Sequence, residues 1–549
     1  MPEDADATMK KKNYGYILLP LFLSLGIIGG LFIGRYSSEQ RLSPGEEKLR
    51  TVLGMIQEQY VDPINIDSLI NESIPDLLAS LDPHSAYIPA ESLTIANDDL
   101  EGSFGGIGVA FQVLNDTVTV VEVITGGPAE KVGILPGDLI LEANGKKLTG
   151  EKISSEEVFK TLRGKEGTQV KTLVKRRSAK TPLTFDIVRG QIPSNSVDAA
   201  YMLTDDTGYV KVSKFARTTY SEFYTALTRL QTEGAKKYIV DLRGNSGGFM
   251  DQAIYMANEF LPAGRGIVFT KGRIAENQTV ATSDGTGQFQ NVPLTVITNE
   301  FSASASEIFA GAIQDNDRGL VIGRRTFGKG LVQNQLSLPD SSAVRLTVAR
   351  YYTPSGRCIQ KEYKRGKDGK YEMDIADRYT HGEFYSRDSI KLDKSKLFRT
   401  VNGREVYGGG GIMPDVFVPE DTTGYTSYYL EAVNKGLINT FAQYMADTYR
   451  PMMKDKSVES MMRILPRDNT LLQNFVSYAA SKGLPARWYY INQSRSLLLN
   501  QIKGVIARDL VGYEGLIKIL NQEDKTVSEA LRLLEQGQSP VNIKPSKKR

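Results

Sequence analysis

"PLTVITNEFSASASEIFAGAIQ", residues 293–314, runs from a nearly continuous apolar segment directly into a helix start. An apolar run of this length reads as a strand buried on both faces, and a helix behind it implies a crossover. The pattern has company on its N-terminal side. "TGYVKVSKF" (207–215) precedes the helical "SEFYTALTRLQTEG" (221–234). "KKYIVDLR" (236–243) leads through "GNSGG" (244–248) into "FMDQAIYMANEFL" (249–261). Alternation of this kind predicts βαβ units and a largely parallel, buried sheet. Ligand sites in such sheets form where strands hand over to helices. The glycine-rich segment 244–248 and the serine cluster 302–306 both fall at such handovers.

Working outward, residues 101–190 change to short strands, with "LNDT" as a hairpin signal and one main helix, "SSEEVFKTLRG" (154–164). Residues 46–100 form an N-terminal helical region. Its first helix carries Leu49, Val52, Leu53, Ile56 and Tyr60 on one face, and its second ends at "DPHS". The α/β core spans 195–420, and its last 70 residues are loop-rich. Residues 424–535 read as amphipathic helices, with Trp488 expected in helix packing. Their role stays open between docking on the core, oligomerisation and binding an adaptor.

Lys10, Lys11 and Lys12 precede a mostly apolar run from Tyr14 to Ile33. Such a run is long enough to cross a bilayer of roughly 30 Å. The expectation is a single-pass anchor at 14–34, with 1–13 cytoplasmic and the rest exported to the cell envelope. The alternative is a cleaved signal peptide, although "GRYSSEQ" offers no small-x-small cleavage site.

With 549 residues the chain is too long for one core. A net charge of +3 gives no case for a nucleic-acid partner. One cysteine, Cys358, excludes an intrachain disulfide framework, and no clustered His/Cys pattern predicts a metal site. No cofactor is expected.

The serines 302, 304 and 306 sit at alternate positions. Ser304 and Glu307 form S-x-x-E, a capping box. A serine at a helix N-terminus behind a buried strand is also where a nucleophile is displayed, because the helix dipole favours the developing anion. A serine needs a base. The two histidines, His84 and His381, lie in "LDPHSAY" and "DRYTHGEF", away from the strand ends of the parallel sheet. Lys329 in "RTFGKGLVQNQ" is the other candidate. A lysine serves as a base only when desolvation lowers its pKa from about 10.4 toward neutrality. Gln333 lies four residues on and shares its face in a helix or a strand. A surface lysine in a glycine turn fits the same residues.

"NEFSASASEIFAGAIQDNDRGLVIGRRTFGKGLVQ", with "DLRGNSGG", "LDPHSAYIP", "YYTPSGRCIQ" and "GGGGIMPD", resembles the carboxyl-terminal processing (tail-specific) protease family over residues 46–418. The resemblance implies a crotonase/ClpP-like protease core with an inserted PDZ domain at 101–190. It implies Ser304 as nucleophile, Lys329 as base and Gln333 as its holder. It implies an oxyanion hole from Ala305 and one of Gly247 and Gly248. The PDZ loop would present Gly106, Ile107, Gly108 and Val109 to a protein or peptide C-terminus. Val158, Phe159 and Leu162 would line the groove or pack beneath it. Arg163 would have a regulatory place, on the peptide carboxylate or on the protease body. The implied activity is a membrane-anchored serine endopeptidase that cleaves exported proteins near their C-termini, its PDZ domain capturing or gating. Two rival readings are a catalytically dead PDZ scaffold and a crotonase-like acyl-thioester enzyme, which has no use for Ser304 and Lys329 together.

Overall fold

The computed structural model describes residues 43–114, 116–150, 153–366 and 369–542. The expected anchor at 14–34 lies outside them. Among the described residues no helix is long and apolar enough to cross a membrane.

The chain divides into two units after Leu77. In the first, the helix Pro44–Gln59 is capped by Ser43 and Glu46 and buries none of its residues. The face of Leu49, Val52 and Ile56 anticipated from the sequence is therefore a solvent face or only half covered. The helix Ile66–Ala79 continues from this unit into the next.

The second unit is organised by a six-stranded sheet. Its order is Val197–Met202, Thr207–Val212, Lys237–Asp241, Leu294–Thr298, Leu320–Gly323 and Val416–Phe417. The first pair is antiparallel and the others are parallel. Adjacent residues of a strand face opposite layers. Val240, Val296 and Val321 pack under the helices Thr219–Glu233, Met250–Asn258 and Ala305–Asp315. Their neighbours Ile239, Ile297 and Ile322 face the other way and meet Ile517, Val527, Ala530, Leu533 and Leu534. Those residues belong to the helices Tyr513–Leu520 and Lys525–Glu535 at the far end of the chain. The core thus does not end at residue 420: the C-terminal extension supplies its second helical layer. Each fully buried Leu or Ile contributes about 1.5–3 kcal/mol to that contact. Polar ties add direction. Ala200 donates its N–H to Glu514 (3.0 Å), Asn521 donates to Tyr201 Oη (2.8 Å), and Arg243 donates to Asp524 (2.6 Å). The extension's other helices, 427–510, form a separate apolar core around Phe441, Phe475 and Ile502. Trp488 stays 47 % exposed there rather than packed.

An antiparallel sheet centred on Ala343–Tyr352 pairs with Leu331–Ser337, Gly266–Gly272 and Ala86–Ile88. The segment from Asp82 to Ile88 therefore belongs to the α/β core, not to a separate N-terminal helical region. Between the two parts of the core, Ser103–Gly106 pairs with Gly190–Pro193 and roots the inserted β-domain. That domain is a six-stranded antiparallel sheet, Val109–Leu114 at one edge, closed by the helix Ser155–Leu162. The extension props it as well, through Lys456 on Glu130 (3.4 Å) and Tyr444 under Arg177 (4.2 Å).

Candidate active site

A cavity of about 580 Å³ opens at the strand ends of the parallel sheet. Ser304, Ala305, Gly247, Gly248, Lys329, Gln333, Arg345 and Tyr351 line it. The three serines that were equivalent in the sequence separate here. Ser302 is fully buried and donates its hydroxyl to the Leu242 carbonyl at 2.8 Å. Ser306 is fully buried and donates to the Asn245 carbonyl at 2.9 Å. Both hydroxyls pin the 242–248 loop to the turn. Ser304 breaks the alternation with φ 57° and ψ −114°, and it lines the cavity. A non-glycine residue held there costs about 1–3 kcal/mol, which its surroundings must offset.

Glu307 supplies much of that support. Its carboxylate, fully buried, accepts the Ser304 N–H (2.9 Å), the Lys329 N–H (2.8 Å), the Gly328 N–H (2.8 Å) and the Thr326 hydroxyl (2.5 Å). The anticipated cap interaction with Ser304 is made, and the same carboxylate reaches the lysine segment. Burial pushes the Glu307 carboxyl up to about 7 despite these four donors. Tyr351 mirrors the arrangement from the other side. Its hydroxyl lies 3.0 Å from the Ser304 carbonyl oxygen and also reaches that of Lys329. Thus one carboxylate gathers the N–H groups, and one phenol the carbonyls, of Ser304 and Lys329.

The Lys329 amine donates to Gln333 Oε1 at 2.9 Å. Burial lowers its pKa, and the charge of Arg345 lowers it further, against opposing pulls from Glu307 and Asp82. Gln333 in turn donates its amide N–H to the His84 carbonyl. A carbonyl only accepts, so this contact turns Oε1 toward the lysine. Asp82 fixes the carbonyl's position by accepting from the N–H groups of His84 (2.8 Å) and Ser85 (2.9 Å) and from the Thr347 hydroxyl (3.0 Å). His84 is thus close to the site, contrary to its apparent remoteness in the sequence, but it takes part through its backbone. Its ring faces the Tyr371 hydroxyl at 2.7 Å. Burial, reinforced by the Lys329 charge, brings the imidazole down to about 4, so it is neutral at physiological pH.

The glycine loop presses on the serine. A Cβ on Gly247 would lie 2.7 Å from Ser304 Cβ and 3.0 Å from the Ala305 nitrogen, at φ +104°. Of the two glycines left open as oxyanion donors, Gly247 spends its N–H on Asn245 Oδ1 (2.9 Å), which leaves Gly248. On Gly248 a Cβ would lie 2.1 Å from the Phe215 carbonyl oxygen, so no side chain fits.

In the β-domain, Gly108 adopts φ +81° after the buried Ile107, and Val109 opens the edge strand. Gly106 pairs with Gly190 at the root. Val158 and Leu162 are buried beneath the helix, whereas Phe159 lines a groove with Phe104, Arg163 and Gln191. Arg163 stacks on Phe104 (4.0 Å) and pairs with Asp98 (3.4 Å) on the helix Ala90–Glu101. That helix is shared: Thr94, Ile95 and Asp98 face the β-domain groove, while Asn97, Leu100 and Glu101 line the cavity of Ser304. Among the described residues no group of three His, Cys, Asp or Glu side chains is arranged to hold a metal ion.

Sequence reasoning missed Glu307 as more than a cap, and missed Asp82 and Tyr351 altogether. The S-x-x-E spacing was the one available signal for Glu307. Tyr351 is 47 residues from Ser304 and carries no local signature.

Three family models match the chain. Peptidase family S41 matches residues 206–368, a PDZ domain matches 105–187, and a family of unknown function matches 428–512. A carboxy-terminal-processing protease of Bartonella bacilliformis is 36 % identical over 411 residues, covering 74 % of this chain and 92 % of that protein. Among solved structures, a photosystem II D1 C-terminal processing protease is 29 % identical, with a TM-score of 0.34, over 57 % of this chain and 83 % of the other. The PDZ domain of a carboxy-terminal protease from Vibrio cholerae, solved in complex with a peptide, is 28 % identical with a TM-score of 0.15. It covers 16 % of this chain and 97 % of that one.

Proposed function

The chain belongs to the S41 family of carboxy-terminal-processing serine proteases, and from that premise we propose that it cleaves exported proteins near their C-termini with Ser304 as nucleophile and Lys329 as general base. The observation that carries this reading is the shared cavity in which Ser304 and a desolvated Lys329 are tied to each other by Glu307 and Tyr351. Burial favours the neutral amine that a base requires.

The neutral Lys329 amine takes the hydroxyl proton as Ser304 Oγ bonds to the peptide carbonyl carbon. The carbonyl oxygen becomes an oxyanion facing the N–H groups of Ala305 and Gly248. Collapse of this adduct expels the amine, which takes the proton back from Lys329. Water, deprotonated by Lys329, then attacks the ester, releasing a carboxylate product and Ser304. Gln333 holds the lysine by a neutral amide, which does not favour the ammonium form as a carboxylate would.

The PDZ domain selects the substrate. Val109–Leu114 is an edge strand, to which an extended peptide adds by main-chain pairing. The N–H groups around Ile107, Gly108 and Val109 take the terminal carboxylate. The apolar run 14–33, with lysines ahead of it, anchors the chain with its catalytic part on the exported side.

The test is turnover of a peptide with an apolar C-terminus by the purified full chain. Ser304→Ala and Lys329→Ala are each expected to abolish cleavage, while His381→Ala leaves it. Full turnover by Ser304→Ala would overturn the assignment.

A further inference from the structure

Three cations line the cavity of Ser304, Arg217, Lys329 and Arg345, and the mechanism above uses only Lys329. The strand Leu331–Ser337 places Gln333 and Gln335 on one face, two residues apart. Its partner strand sets Thr347 opposite Gln333 and Arg345 opposite Gln335. Lys329 donates to Gln333 Oε1 (2.9 Å), and Gln333 passes its amide N–H on to the His84 carbonyl. Arg345 donates to Gln335 Oε1 (3.0 Å), and Gln335 passes its amide N–H on to Asn97 Oδ1 (3.1 Å). The two chains of contacts run side by side, each holding a cation by a neutral amide. Among the described residues no carboxylate forms an ion pair with Arg345. Among the described residues, Arg217 at the cavity wall is paired with Glu101 (3.1 Å).

Resting on the assignment of Lys329 as base, we propose that Arg345 is a positioning residue whose charge, fixed on the cavity wall by Gln335 and Asn97, disfavours protonation of the Lys329 amine on the same wall. A guanidinium keeps its positive charge across the working pH range, so it acts as a fixed charge on the cavity wall. The groups facing Lys329 from the packed elements are Glu307 on the site helix, Asp82 and His84 on the 82–85 loop, and Arg345 on the strand. Glu307 and Asp82 favour the ammonium. His84 is neutral, which leaves Arg345 and burial to oppose them. Replacing Arg345 by a neutral residue therefore tips the balance toward a protonated, non-basic lysine. Its amide holder serves the same end: a carboxylate at position 335 would cancel the charge.

The experiment reads the lysine directly. Competitive acetylation of the full chain with trace acetic anhydride, followed by mass spectrometry of the Lys329 peptide, gives the midpoint at which that amine loses its proton. In Arg345→Gln the midpoint is expected to rise by about 0.5–1 pH, a three- to tenfold loss of neutral amine at fixed pH. Arg345→Lys, which keeps the charge, is expected to hold the parent midpoint. Labelling of Ser304 by a fluorophosphonate should slow by the same factor in Arg345→Gln near neutrality and recover at higher pH. Arg345→Met repeats the measurement should the Gln variant fail to fold by circular dichroism. An unchanged midpoint in the neutral variants, or a raised KM with an unchanged midpoint, overturns the proposal, as does Arg345→Lys behaving like Arg345→Gln. Because the lysine titration needs no substrate, it decides the role of Arg345 even if Ser304→Ala retains activity and the nucleophile assignment fails.

Discussion

Replacing Glu307 by Gln alters a single atom of the site, yet it is expected to cost far more in catalysis than in stability. Oε1 of Glu307 accepts from the Thr326 hydroxyl and the Gly328 N–H, and Oε2 accepts from the Ser304 and Lys329 N–H groups. An amide has one oxygen. Whichever way it turns, two donors face an NH2 group. Each buried donor left without a partner costs about 1–3 kcal/mol, or about 2–6 in total. Against this stands a relief. The carboxyl ordinarily titrates at 4.5 and is pushed up to about 7 by burial, so above pH 7 its ionisation costs the folded state about 3 kcal/mol. The amide removes that cost. The net change in unfolding free energy at pH 8 is therefore small, from about 1 kcal/mol of stabilisation to about 3 of destabilisation. Catalysis has no such compensation. Loss of either pair of contacts loosens the Ser304 turn or the 326–329 segment that carries Lys329, and a misplacement of about 1 Å costs about a hundredfold in kcat. Urea unfolding at pH 8 and steady-state cleavage of a peptide, measured on the same preparation, check both halves. A kcat within threefold of the parent, or a variant that loses activity only because it unfolds, would refute the reasoning. The parent enzyme carries the companion prediction. Activity should fall as pH drops through about 7, since a protonated carboxyl cannot accept all four donors. The sign for stability is opposite. A raised carboxyl pKa penalises the folded state fully above 7, and that penalty shrinks as pH falls toward 4.5.

Three further outcomes follow from the same geometry. Ser302→Ala and Ser306→Ala should each lower unfolding free energy by about 1–3 kcal/mol yet leave most of kcat, because their hydroxyls serve the Leu242 and Asn245 carbonyls; denaturant titration beside kinetics separates the two effects. Gly247→Ala should fold but lose at least about a hundredfold in kcat, since its Cβ would stand 2.7 Å from that of Ser304; unimpaired cleavage would contradict the packing described. Leu534→Ala should cost about 2–5 kcal/mol in global unfolding of the protease core, which chemical denaturation followed through core tyrosine fluorescence would register.

The sequence made the parallel sheet and its two handover loops legible because buried strands are continuous apolar runs and glycine loops announce themselves. It exposed Lys329 and Gln333 as neighbours because their contact is local. It left the serines tied, since alternation alone cannot foretell the positive φ that singles out Ser304. Glu307 was visible only as a cap, because a cap needs three residues of context while its further partners lie some twenty residues on. His84 looked remote for the same reason: its contact with Gln333 spans 249 positions. Helix Lys525–Glu535 was readable as amphipathic, but an apolar stripe says that something covers it, not what. That the cover is Ile239, Ile297 and Ile322 depends on long-range topology.

The helices Tyr513–Leu520 and Lys525–Glu535 also tie the root of the glycine loop to a distant part of the chain. They leave the ribosome after every strand of the sheet they cover. Until then a nascent chain already carries Ser304, Lys329 and the glycine loop, but the far face of the sheet is bare, and Asp524 is not there to hold Arg243 at the root of that loop. Sequence order thus completes the polar tie at the root of the glycine loop only once residue 524 has been added, 281 positions after Arg243.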